Sequence, residues 1–145
     1  MSVYADSSFL VAVCTRNAHT SAALALWRRL EEVPLPFHPV HRLEVRNAIR
    51  HMVFTGDIAP PGARLALDYL DESMGEDFLH LPLNWSDVLR RAEDITASHT
   101  PATGLRSLDA FHLAAAVETR HTVFLTFDEV QGATATALGL EVFGV

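Results

Sequence analysis

The sequence predicts a three-layer α/β/α sandwich, a central parallel sheet covered by helices, in a single domain over residues 1–145. The first reason is order: short runs of β-prone residues alternate with helical segments long enough to cross back over a sheet, and such alternation builds parallel strands. The second is composition. Hydrophobic residues make up 49% of the chain, enough for one proper core, and no compositional break marks a second domain.

Ser2-Val3-Tyr4-Ala5 reads as a short buried strand with Asp6 at its C-terminal end. Asp6-Ser7-Ser8 opens an apolar segment, Phe9 to Cys14, expected as a short helix. Ligands of open α/β sheets bind at the C-terminal ends of strands, so Asp6 is either a site residue or a helix cap. His19 to Glu32 is an amphipathic helix with Ala23, Leu24, Trp27 and Leu30 on one face. Pro34 to His38 is a short extended segment whose prolines suit a strand end or an edge.

Pro39 to Phe54 is the next helix, closed by Thr55-Gly56, with Leu43, Ala48, Ile49 and Met52 expected toward the core. Glu44 lies on the margin of that face. Arg42, Arg46 and Arg50 share a second stripe, which reads as a solvated face or as a phosphate-gripping edge. Pro60 to about Met74 is helical, and its C-terminal end is acidic, with Asp68, Asp71, Glu72, Glu76 and Asp77. Acid at that end opposes the helix dipole, so solvent is expected there rather than a metal.

Phe78-Leu79-His80-Leu81 is a strand, and a helix follows to about Ser98, capped by Asn84 or Ser86. Thr100 to Gly104 reads as a loop. The Ala-rich helix after it, capped by Ser107 and running to about Thr119, is apolar almost all round but carries Asp109 in its first turn. Thr122 to Thr126 is a strongly β-prone strand, with Asp128 two residues past its end. A helix from Glu129 to Leu138, a left-handed cap at Gly139 and a closing strand from Leu140 to Phe143 complete the chain.

One cysteine excludes an internal disulfide, and Cys14 is expected as a buried, inert thiol. The run Phe9 to Val13 is too short for a membrane span and no basic segment precedes it, so a cytoplasmic protein without a signal peptide is expected. The formal net charge of -7 argues against holding nucleic acid by bulk charge. A polyanionic substrate would need a neutralised site, which a divalent metal supplies. The acid excess also suits a basic protein partner, or solubility alone.

In this topology Asp6 and Asp128 come from strand ends, and Glu44 and Asp109 lie in or near the first turns of helices that start at the same edge. The four acids can then converge if their strands are neighbours at ~5 Å spacing. Clustered carboxylates would take up protons unless a cation held them. An all-oxygen set selects Mg²⁺ or Mn²⁺ over zinc, and such a site can activate water for phosphodiester hydrolysis. His38, His41, His51 and His112 lie near these segments and read as structural histidines rather than as general bases. Trp27 and Trp85 read as core or dimer-interface residues, not as platforms for bases.

The segments Val3 to Ala12, Leu43 to Ala48, Ser107 to Ala114, and Leu125 to Asp128 with Gln131 and Ala137 to Val142 together resemble the PIN-domain ribonucleases. The resemblance is closest to the VapC toxins of type II toxin–antitoxin pairs, and it runs in order from Val3 to Val142. It implies that Asp6, Glu44 and Asp109 bind metal, with Asp128 a fourth acid acting directly or through water, and that Ser7 and Thr126 line the inner site. It further implies Mg²⁺- or Mn²⁺-dependent endonucleolytic cleavage of RNA, leaving a 5′-phosphate and a 3′-hydroxyl. Homodimerisation is implied too, as are higher toxin–antitoxin assembly, inhibition by a cognate antitoxin and contact with DNA only through that antitoxin. Glu129-Val130 departs from the pattern, since many relatives carry a basic residue there.

Two rivals stand against this. A phosphotransfer α/β protein would need a second Asp where Ser8 stands, or an acidic pair and a late lysine, and the chain contains no lysine. A catalytically silent PIN-fold binding module acting through an antitoxin-like partner is the alternative; the intact acid set argues against it.

Overall fold

The computed structural model describes all 145 residues. Five strands and seven helices alternate: β1 (Val3–Ala5), α1 (Ser7–Cys14), α2 (Thr20–Arg29), β2 (Leu35–Phe37), α3 (Pro39–Thr55), α4 (Pro60–Glu72), β3 (Phe78–His80), α5 (Trp85–Thr103), α6 (Ser107–Glu118), β4 (Val123–Leu125), α7 (Glu129–Ala137) and β5 (Glu141–Phe143). This is the expected order, and every strand pair is parallel. The ladders form two sets, a three-stranded sheet in the order β1-β4-β5 and a two-stranded sheet β2-β3. No helix is long and apolar enough to cross a membrane.

Packing divides the chain into two compact units, one of Met1–Asp6 with Pro82–Val145, the other of Ser7–Leu81. In the first, β1 pairs with β4 in the register Val3↔Val123, Tyr4↔Phe124, Ala5↔Leu125. The Tyr4 and Phe124 rings stack at 5.6 Å. The core around them is fully buried and includes Leu113 and Leu125. Each such side chain contributes roughly 1.5–3 kcal/mol through removal from water. From Ala110 to Ala116 every residue of α6 is buried, which small alanine side chains permit and which leaves Asp109 at the rim. The Trp85 ring stacks on Phe111 at 5.6 Å but stays partly exposed.

The second unit packs α1, α2, α3 and α4 with β2 and β3. Phe9, Leu10, Leu35, Ile49, Leu70 and Phe78 are buried there, and Trp27 stacks on Phe78 at 6.5 Å. Cys14 is buried as expected, and burial first, then the charge of Asp77, pushes its thiol up to about 12. Such a thiol is neutral and inert at physiological pH.

Four local expectations fail for physical reasons. On α3 the buried stripe is His41, Val45 and Ile49, while Leu43 is 68% exposed. His38 and His41 take the apolar side of the first turn because their rings form a reciprocal cap, each backbone N–H donating to the other's Nδ1 at 3.4 Å. Helix α2 stops at Arg29 because Glu31 and Glu32 adopt left-handed backbone, which cannot continue a right-handed helix. Helix α5 runs through Pro101 to Thr103, where a loop is expected. Pro101 withholds one N–H, but the Thr103 hydroxyl donates to His99 O at 2.8 Å and Gly104, at φ 72°, closes the turn onto Thr100 O. Finally, Arg106 rather than Ser107 occupies the N-cap of α6, and its side chain makes no cap bond.

Candidate active site

The in-register pairing of β1 with β4 ends both strands together, and the next residues extend the ladder. The Asp6 backbone N–H donates to Leu125 O at 3.0 Å, and that of Thr126 to Phe143 O at 3.1 Å. Asp6 and Thr126 therefore stand side by side. The Thr126 hydroxyl lies 2.7 Å from Asp6 Oδ2 and 3.1 Å from Gln131 Oε1, and it accepts the Asp128 backbone N–H at 3.0 Å. A hydroxyl has one proton to donate; the shorter distance and the negative charge of the carboxylate give it to Asp6. Both residues are buried, Asp6 at 4% exposure and Thr126 at 0%.

Asp128 caps α7, its Oδ1 accepting the Gln131 backbone N–H at 2.7 Å. From that first turn the buried Gln131 side chain crosses to α6, where Nε2 donates to the backbone carbonyl of Asp109 at 3.1 Å. One amide thus ties together the turns that carry Asp109 and Asp128 while its oxygen faces Thr126. In the sequence Gln131 belongs only to the family-like pattern and carries no assigned role; a Gln opening a helix has no charge or spacing that announces it.

Two glycines let this corner close. Gly144, at φ +110°, lies so near Thr126 that a Cβ would meet its carbonyl oxygen at 2.1 Å. A Cβ on Gly132 would strike Val145 Cγ2 at 2.5 Å and lie 3.5 Å from Thr126 Cγ2.

Asp109 is half-buried, and its carboxyl is held above the usual range by burial first, with Asp128 adding to the rise; Arg106 and His112 act the other way. Arg106 Nε donates to Asp109 Oδ2 at 3.2 Å. One turn further on, the buried His112 Nδ1 pairs with the Tyr4 hydroxyl at 2.7 Å, which gives it a structural place behind the acid.

Within the other unit, Glu44 is half-buried on α3 and its Oε1 accepts the Ser7 hydroxyl at 2.9 Å. Ser7 follows Asp6 directly in the chain, so the first turn of α1 both begins after one acid and binds another. The three aspartates and Thr126 are thus gathered in one unit, and Glu44 with Ser7 in the other. His51 is exposed, whereas His38 and His41 are buried in their reciprocal cap.

The donor set suits a hard divalent cation. It is built of carboxylate oxygens, one of which, on Asp109, is short of solvation and opposed by a neighbouring charge.

A family model for the PIN domain matches residues 3–137. Among solved structures, the crystal structure of FitAcB from Neisseria gonorrhoeae is similar, with a TM-score of 0.67 over 97% of this chain and 96% of that chain at 14% sequence identity. At that identity the likeness speaks for the fold. No curated protein matches.

Proposed function

Because the chain belongs to the PIN domain family, whose members are generally nucleases, we propose that it is a Mg²⁺- or Mn²⁺-dependent endoribonuclease. The observation that carries this is the buried Thr126 hydroxyl, which joins Asp6 to the turn bearing Asp128 while Gln131 joins that turn to Asp109. The metal would be held by Asp6, Glu44, Asp109 and Asp128, and when bound it supplies an activated water and charge neutralisation at a phosphodiester. Thr126, by donating to Asp6 Oδ2, holds that carboxylate in place at the end of β1. Ser7 holds the Glu44 carboxylate in the same way, donating to its Oε1. Asp128 has a second duty as the α7 cap, so its Oδ1 is engaged by backbone and Oδ2 is the oxygen available for direct or water-mediated ligation.

In the cell we assign the chain the role of the toxin in a toxin–antitoxin pair, a homodimer restrained by a cognate antitoxin and touching DNA only through it. The formal charge of -7 supports a basic partner segment.

The test is cleavage of total cellular RNA by the purified chain with Mn²⁺, with Mg²⁺ and with EDTA, beside Asp6→Asn. Discrete fragments with 5′-phosphates that need metal and vanish in the variant are expected. Metal binding without cleavage under any condition would instead favour a silent binding module.

A further inference from the structure

Arg106 lies where the candidate site meets solvent. It immediately precedes α6 in extended backbone, at φ −88° and ψ 160°, and contributes no cap bond to the helix. Its side chain is 79% exposed, against 22% for its partner Asp109, so the guanidinium sits on the solvent side of the carboxylate. Elsewhere, arginine pairs engage acids outside the cluster: Arg42 and Arg46 with Asp71, Arg90 with Asp87, Arg91 with Glu118. The chain has no lysine and a formal charge of -7. An RNA strand approaching the acids meets a repulsive field, and a cation at the rim is worth most there.

We propose that Arg106 exchanges partners: it pairs with Asp109 while that carboxylate lacks a cation, and grips a phosphate of single-stranded RNA once Asp109 is committed to one. This rests on the nuclease reading above. One magnitude and one geometric match favour it. An exposed ion pair shifts an equilibrium by roughly fivefold at most, so Asp109 is released cheaply. The freed guanidinium presents a planar fork that matches phosphate geometry, and its four-bond tether keeps it at the mouth of the site. Arg106 would thus oppose metal binding slightly and favour RNA binding, which are opposite signs from one side chain.

The experiment compares the wild type, Arg106→Ala and Arg106→Lys. Mn²⁺ binding is measured by calorimetry without RNA. Binding of a labelled 20-nucleotide oligouridylate is then measured with Ca²⁺ in place of Mn²⁺, between about 50 and 200 mM KCl, the range over which phosphate contacts show their salt dependence. Arg106→Ala should bind Mn²⁺ about two- to fivefold more tightly, the share an exposed pair can withhold. It should bind RNA more weakly, and the slope of log affinity against log salt should shrink by about 0.7, the value of one single-strand phosphate contact. Arg106→Lys should recover the slope. Weaker Mn²⁺ binding in Arg106→Ala, or an unchanged salt slope, overturns the exchange. A wild-type chain that takes up no Mn²⁺ overturns the nuclease reading itself and the exchange with it. Wild-type uptake with Arg106→Ala identical in both assays sinks the exchange alone.

Discussion

The chain has two acid-rich regions, and they behave as opposites. At the end of α4, Asp68, Asp71 and Glu72 follow one another on a single exposed turn. Asp71 is neutralised by Arg46 at 2.9 Å and Arg42 at 3.7 Å, and Asp77 beyond it accepts the Tyr69 hydroxyl at 3.2 Å. Asp6, Asp109 and Asp128, by contrast, are far apart in sequence and are brought together by a strand end and two helix first turns. They are tied by Thr126 and Gln131, and burial opposes the charge of Asp109. Local density of acid is what solvent tolerates. Acids assembled from distant elements, one of them with its charge opposed by burial, are the ligand set proposed for a cation.

The largest expected effect separates the two regions directly. Asp109→Asn should lower RNA cleavage by more than about 100-fold, beyond the 10–100-fold usual for residues that merely support metal ligands. The same change should raise stability at neutral pH. The folded state holds the Asp109 pKa above its ordinary 3.8, so its stabilising contribution is present below that value and is lost as pH rises through the folded pKa. The advantage of Asn should therefore fade on acidification and close below pH 3.8. Urea unfolding as a function of pH reads this out, and a gap that widens toward acid would contradict it.

Gly144→Ala comes next. Left-handed strain and overlap with the Thr126 carbonyl should cost about 2–4 kcal/mol in chemical denaturation. A neutral result would show that the corner behind Thr126 is soft. Gln131→Met should cost about 1–3 kcal/mol by leaving buried polar groups unpaired, and should weaken Mn²⁺ binding roughly tenfold or more. Unchanged metal affinity would reduce Gln131 to a packing residue.

The smallest effect is expected at the other acid region. Asp71→Asn should change stability by less than about 1 kcal/mol, since its partners are surface arginines, and should leave cleavage within about twofold. A loss of cleavage matching that of Asp109→Asn would erase the distinction between the regions.

The sequence made the acids legible because their chemistry is conspicuous where it stands. Asp6 and Asp128 follow β-prone runs, and Asp109 opens an alanine-rich helix that buries every residue from Ala110 to Ala116. What holds the acids was not legible. Gln131 acts through an amide whose two ends reach different elements, and no periodicity reports that. Leu43 lies outside the core because α3 offers two overlapping apolar stripes, and the reciprocal histidine cap favours the one with His41, Val45 and Ile49. Pro101 reads as a breaker, yet the Thr103 hydroxyl donates to His99 O in that last turn and the Thr100 hydroxyl donates to Leu105 O just past the helix. Alternation of elements was readable to the end, whereas the division of the ladders into β1-β4-β5 and β2-β3 depends on pairing that local sequence does not encode.

The central claim is that acids from separate elements make one divalent-cation site. Calorimetric titration of Mn²⁺ at neutral pH into the wild type, Asp109→Asn and Asp71→Asn tests it most directly. The wild type and Asp71→Asn should bind alike, and Asp109→Asn at least about tenfold more weakly, in line with the loss of a metal-site residue. Equal binding by Asp109→Asn and the wild type, or loss of binding in Asp71→Asn, would contradict the account.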